Sequence, residues 1–187
     1  MDIPWGSKES RAFITNVGLI TTLGESGQNI MACEWTHHVS YRPGYIAISV
    51  DKENLTNENI KKTKEFGVSI ASVEQRILAS VAGGYSGSEY NKIKALEKLG
   101  VKFYAGKKIK PLMVQDAVLN VECKVYKEVE FETHTLFIGE AVEVSLSDKV
   151  PLCFHQGKYW KLNETFSKPS DAEREEMKKI VESFKLK

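Results

Sequence analysis

Long apolar runs are missing from this sequence. No stretch approaches the roughly 20 residues that span a bilayer, and the opening "MDIPWGSKES" has no apolar core of a secretory signal. Cysteine is scarce. Cys33, Cys123 and Cys153 are odd in number and far apart, which argues against a disulfide framework or a CxxC metal site. Charge of one sign is missing too: 26 basic against 25 acidic residues leave +1. No strong field draws nucleic acid or an anionic membrane. There is no internal repeat, no low-complexity tract and no GxGxxG after a strand. What remains is the profile of one cytoplasmic domain, residues 1–187, long enough to bury a core.

Strands dominate what is present. "AFITNVGLITTLG" is β-branched, ends in Gly24, and turns at "GESG" into a second strand. In "YIAISV", Ile46, Ile48 and Val50 share one face. In "FGVSIA", Phe66, Val68 and Ile70 do the same. Between them "NLTNENIKKTKEF" reads as a short helix with Thr56 as its cap. Residues 73–100 read as helix broken at "GGYSGS", with Ser88 capping the second half, Ile93, Leu96 and Leu99 as its stripe and Gly100 as its stop. Two long strands follow. Ala117, Leu119, Val121, Cys123 and Val125 alternate along the first, and Gly139 marks a bulge in the second. "KYWKL" is a last short strand. A C-terminal helix at about 171–184 starts with a capping box, Ser170 to Glu173. Its stripe of Met177, Ile180, Val181 and Phe184 is built to dock on the body or on a second subunit. Hairpin connections with few helices favour an antiparallel barrel over a βαβ fold.

The chemistry-bearing residues allow competing readings. "NIMACEWTHHVS" crowds Cys33, Glu34, His37 and His38 into six residues. A metal fits poorly, because adjacent histidines on a strand face opposite ways and no further ligand cluster is visible. A catalytic thiol at Cys33 competes with the reading of a small buried hydrophobe. His134 heads a long strand, where a structural cap is the simpler role. "GGYSGSEYNK" can hold an anion or merely turn. The segment from Ser49 to Thr56 ends at a helix N-terminus that can hold a phosphate, with Lys52, Lys61 and Lys62 helping and Glu53 and Glu58 opposing.

Taken in order, "GLITTLGESGQNIMACEWTHHVSYRPGYIAISV", "LTNENIKKTKEFGVSIAS", "YSGSEYNKI" and "ETHTLFIGEAVEV" resemble the flavin reductase-like, FMN-binding split-barrel family, nearest its flavoredoxin and ferric-flavin reductase branch. The resemblance runs over residues 10–163. It implies a mainly β, antiparallel Greek-key split barrel with peripheral helices, a homodimer, and non-covalent FMN near the dimer interface. In the family the segment matching "NIMACEWT" walls the flavin. That implies contacts at Asn29 and Ala32, backbone contacts at Cys33 and Glu34, and side-chain contacts at Trp35 and Thr36. Ser49, Asp51 and Thr56 match the ribityl and phosphate segment. Ser86, Gly87 and Lys92 match a loop near the phosphate and the nicotinamide approach, with Asn91 in place of the usual aspartate. His134 matches a catalytic histidine beside the flavin, although Glu132 stands where a glycine is usual. The implied function is reduction of flavin or ferric chelates by NADH or NADPH. The alternative is a flavoredoxin-like carrier served by a protein electron-transfer partner.

Overall fold

The structure is a computed structural model and describes residues 2–186. In chain order the elements are α1 (Lys8–Arg11), β1 (Thr15–Asn16), β2 (Gly18–Gly24), β3 (Gly27–Cys33), β4 (Thr36–Tyr41), β5 (Gly44–Asp51), α2 (Leu55–Thr63) and β6 (Glu65–Ile70). Then come α3 (Arg76–Gly84), α4 (Lys92–Lys98), β7 (Phe103–Ala105), β8 (Leu112–Val114), β9 (Leu119–Glu130), β10 (His134–Leu146), β11 (Leu152–His155), β12 (Lys158–Lys161) and α5 (Asp171–Ser183). The fold is mainly β and antiparallel. Seven strands form the main sheet in the order β3-β2-β6-β9-β10-β5-β4, while β1-β11-β12 and β7-β8 form small sheets beside it. After the β2–β3 hairpin the chain crosses to the far edge for β4 and β5, then returns through α2 to β6. That crossing curls the sheet until the end of β3 meets β5, where Cys33 Sγ lies 3.4 Å from the Ser49 carbonyl.

Two apolar cores follow from the curl. Ile20, Ile48, Val50, Phe66, Val68, Val121 and Phe137 fill the inside, and Ile60 of α2 plugs it. Leu19, Ile30, Leu78, Ala79, Ile93 and Leu96 form the other core, where α3 and α4 cover the outer face of β2 and β3. Leu19 and Ile20 are therefore neighbours on opposite faces of one strand, both fully buried. Burying a Phe or Ile of this kind contributes about 1.5–3 kcal/mol each. The faces expected for β5 and β6 appear as read, with Ile46 and Ile70 at the partly buried margin. Glu122 reads in sequence as an outward partner of the β9 alternation, yet it is 3% exposed. Its carboxylate accepts from the amides of Lys107, Lys108 and Ile109 and so pins the excursion around β7 and β8 to the barrel.

Several local expectations are corrected. Thr56 does not cap α2; Asn54 does, in extended conformation, and Thr56 is the second helical residue. Asn91, not Ser88, caps α4, its side chain accepting from Lys94 N at 3.0 Å. Leu99 is exposed, because Gly100 at φ +85° ends the helix before the stripe completes its third turn. His37 and His38 do not point apart: their rings stack at 4.9 Å where a register shift breaks β4 between His38 and Ser40. The capping box of α5 is formed, but no residue of α5 is buried, so the body of this chain does not receive the stripe.

Gly139 sits where the β9–β10 register shifts, and Tyr126 is the unpaired residue on the β9 side. A Cβ at Gly139 would lie 2.5 Å from Phe66 Cζ and 2.8 Å from Cys123 Cβ. Both neighbours are fully buried, so neither can yield cheaply. Gly139→Ala is expected to cost about 1–3 kcal/mol, read as a lower urea midpoint at unchanged m-value. An unchanged midpoint would mean that the bulge can open without disturbing the core.

Candidate functional site

The sheet's two ends meet in a polar seam. Cys33 Sγ lies within hydrogen-bonding reach of both the Ser49 and Trp35 carbonyls, at 3.4 and 3.6 Å. Ser49 N donates to the Trp35 carbonyl at 3.0 Å. Thr36 Oγ1 donates to the Cys33 carbonyl at 3.1 Å, and Asn16 Nδ2 donates to the Thr36 carbonyl at 2.8 Å. Gly18 leaves the room: a Cβ there would be 2.3 Å from Thr36 Oγ1. Burial pushes the Cys33 thiol above its ordinary pKa, so it stays protonated. That removes the nucleophile reading. Among the described residues no three His, Cys, Asp or Glu side chains converge as metal ligands.

The seam turns Trp35 outward. Its ring is 53% exposed and lies 4.8 Å from the His134 ring. His134 is half-buried at the head of β10, opposite Asp51 of β5, with Nδ1 2.8 Å from Thr133 Oγ1. The Glu34 side chain is exposed beside Trp35, and partial desolvation raises its pKa. Trp35, Ser49, Asp51 and His134 thus cluster at the end of β5, one end of the candidate site.

The other end gathers at the start of α2. Asn57 Nδ2 donates to the Val50 carbonyl at 3.0 Å and fixes the helix to β5. Asn54 makes no side-chain cap bond. Among the described residues the amides of Leu55 and Thr56 have no protein acceptor. Asn29, 6% exposed, donates from Nδ2 to Thr56 Oγ1 at 3.0 Å. Gly87 packs so closely that a Cβ would sit 2.3 Å from Asn29 Oδ1. Around these groups lies a cavity of about 150 Å³, lined also by Gln28, Ser88, Tyr90 and Asn91. Glu89 lines it too, so an anion there would rely on the helix amides rather than on net positive charge. Ser86 is on the exposed rim, with its Oγ 2.7 Å from Ser88 Oγ.

Three expected site residues lie off the candidate site. Thr36 is 3% exposed and its hydroxyl is spent inside the seam. Ala32 faces α3, where a Cβ on Gly83 would be 3.2 Å away. Lys92 is 4% exposed, and its Nζ donates to the carbonyls of Ala82 and Tyr85 at 3.1 and 3.0 Å. It therefore clasps the end of α3 and spans the loop that carries Ser86 and Gly87. Sequence reading missed the cavity's Gln28 and named Ser88 and Tyr90 only as part of the loop "GGYSGSEYNK". Gln28 carries no pattern of its own; it is held by bonds to Lys110 O and Leu112 N, more than eighty residues away.

Fold and site together define a curled antiparallel barrel with a small polar cavity by the start of α2 and an exposed Trp35 against His134. The chain belongs to the flavin reductase like domain family, whose sequence profile matches residues 10–163. It is 33% identical over 135 residues to an uncharacterized protein of Archaeoglobus fulgidus, covering 72% of each chain. It is 38% identical over 106 residues to a ferric-chelate reductase (NAD(P)H) of the same organism, covering 56% of this chain and 60% of that one. Among solved structures it resembles the flavin reductase PheA2, with TM-score 0.74, 27% identity, and coverage of 88% of this chain and all of that one. It also resembles the flavoredoxin of Desulfovibrio vulgaris (Miyazaki F), with TM-score 0.76, 26% identity, and coverage of 92% and 99%.

Burial lowers the Lys92 pKa to about 8. Unfolded lysine titrates near 10.4, so between those values the unfolded chain binds the extra proton and stability rises with pH. The stability difference between wild type and Lys92→Met is expected to grow from pH 8 to pH 10, by at most about 1.4 kcal/mol per pH unit. Urea midpoints at half-unit pH steps measure it. A flat difference would put the amine in solvent.

Proposed function

We propose that the protein is a flavin-dependent oxidoreductase that binds FMN non-covalently and passes electrons from NADH or NADPH to free flavin or a ferric chelate. The observation that carries this reading is the meeting of two features at the end of β5, where Asp51 lies opposite His134 and its carbonyl accepts from the Asn54 amide that precedes α2. One offers free helix amides beside buried Asn29 and Thr56, and the other an exposed Trp35 against His134. The residues fit the cofactor: unpaired donors suit a phosphate, and an open aromatic surface suits a flat ring. Leu55 and Thr56 amides with the Thr56 hydroxyl would hold the phosphate, and Ser49 and Asp51 the polyol. The backbone of β3 lies at a free sheet edge, where Cys33 and Glu34 can offer main-chain groups to the ring's polar rim. When bound, the flavin supplies reversible two-electron chemistry. The chain's own part is to bind, orient and hold protons. The ring of His134, within reach of the site, donates a hydrogen bond or proton as negative charge develops. Seam and sheet keep these groups rigid.

The cavity is too small for a whole nucleotide, so the ring must lie toward the open side, where one chain supplies one wall. A homodimer supplies the second, with Trp35 and the "YRPGY" turn in its interface. A pyridine-nucleotide donor fits a cytoplasmic setting. A second reading, a flavoredoxin-like carrier fed by a protein partner, is favoured by the near full-length similarity to the Desulfovibrio vulgaris protein. Anaerobic mixing with each nucleotide separates the two. Rapid bleaching supports the reductase. No bleaching with fast reduction by a partner supports the carrier.

Acid precipitation is expected to release FMN at about one per chain; a colourless protein that refuses added FMN would sink the proposal. Thr56→Val is expected to weaken FMN by about 1.5–3 kcal/mol, with riboflavin affected much less. Equal losses in titrations of both flavins would leave Thr56 a structural residue of α2. His134→Ala is expected to keep colour and melting temperature while slowing nucleotide-driven reduction about 10²-fold. Holoprotein reduced at the wild-type rate would remove His134 from the mechanism.

A further inference from the structure

Among the described residues the C-terminal arm, 162–186, is exposed throughout. After β12 the chain runs extended and exposed through residues 162–170, with Phe166 95% exposed, and then forms α5. Along α5, Met177, Ile180, Val181 and Phe184 are 53–78% exposed. A helix of 13 residues is marginal alone in water. This one has a formed capping box and a one-sided apolar stripe, the design of a helix that docks.

The exposed area says how much cover is missing. A compact chain of 21.1 kDa exposes about 9,000 Å², whereas this one exposes 12606 Å². The excess, about 3,600 Å² in one chain, is the surface of an arm that stands off its body, and it is more than the roughly 800 Å² that each partner gives to an ordinary interface. The body carries its own uncovered apolar residues, Trp5, Phe13 and Ile14, at 88%, 66% and 70% exposure. Arm and body thus offer matching surfaces in equal number, as a twofold pairing of identical chains requires. The polar face of α5 carries five acidic residues against three basic ones, the wrong sign for an anionic lipid surface.

We propose that the arm, residues 162–186, crosses to a second copy of this chain and packs its α5 stripe on that copy's body. The pairing rests on the homodimer reading above and adds to it which segment is exchanged.

The test places a photo-crosslinking residue, p-benzoylphenylalanine, at Phe184 in the full-length chain, a position exposed in the single chain. Purified protein at low micromolar concentration is irradiated, with light scattering on the same sample. The expected result is a crosslinked species at twice the 21.1 kDa chain mass, its yield falling at least tenfold when Ile180→Asp is added. A crosslink within one chain would mean that the arm folds back on its own body and would overturn the proposal. A dimer by light scattering without interchain crosslinks would overturn the arm exchange and leave the dimer standing. A monomer would overturn both.

Discussion

The seam between β3 and β5 is the constraint on which the rest of this structure depends. An antiparallel sheet of seven strands has two free edges, and unpaired edges are a liability. Here the sheet curls so that its ends approach, but no ladder joins them. Instead a few bonds from Cys33, Thr36, Asn16 and Ser49 stitch the turn at residues 33–36 across the gap. Closing one stretch and leaving the rest open produces both the inner core and the candidate site. It also decides that Trp35 faces out while Thr36, its neighbour, faces in.

The site's polar end obeys the same economy. Buried polar groups are costly unless paired. Asn29, Thr56, Asn57 and Asn59 are all nearly inaccessible, and each reaches a partner across the fold. Glycines provide the clearance: Gly24 packs against Asn59 and Gly87 against Asn29, at distances that no Cβ tolerates. The groups left without partners are the first amides of α2. These are the orphan donors of any helix start, and here they stand among neighbours that are otherwise paired.

The strands were legible in the sequence because a period of two survives wherever one face meets the core, as with Ile48, Val50, Phe66 and Val68. The caps were less legible. Thr56 and Ser88 carry the right hydroxyls, but Asn54 and Asn91 lie nearer the actual turns, and capping preference alone does not rank an asparagine below a serine or threonine. Lys92 looked like a phosphate ligand because sequence shows charge and not direction. Its ammonium is aimed at two carbonyls that close the preceding helix. Asn29 with Gly87, and Glu122 with the amides of residues 107–109, left no local pattern, since each contact joins segments that only the fold brings together. The α5 stripe is present on the helix, but the place on the body expected for it was not found.

Cys33 shows why the crowded stretch around it misled. At the seam one side of the residue must lie in the inner core, beside Ile20 and Ile48, while the other meets two carbonyl oxygens. A serine would bring a strongly hydrated hydroxyl into that core, and an alanine would take a donor from the Ser49 carbonyl, while the Trp35 carbonyl would keep the Ser49 amide. A thiol satisfies both sides, being small and apolar with a weak donor that two acceptors can share. Its burial disfavours the thiolate and raises the pKa. A protonated thiol is a poor nucleophile and a poor target for oxidants. In a member of the flavin reductase like domain family, a cysteine at the barrel's closing point is tolerable because burial holds it neutral. The residue most suggestive of chemistry in the sequence is therefore the one whose reactivity the fold suppresses.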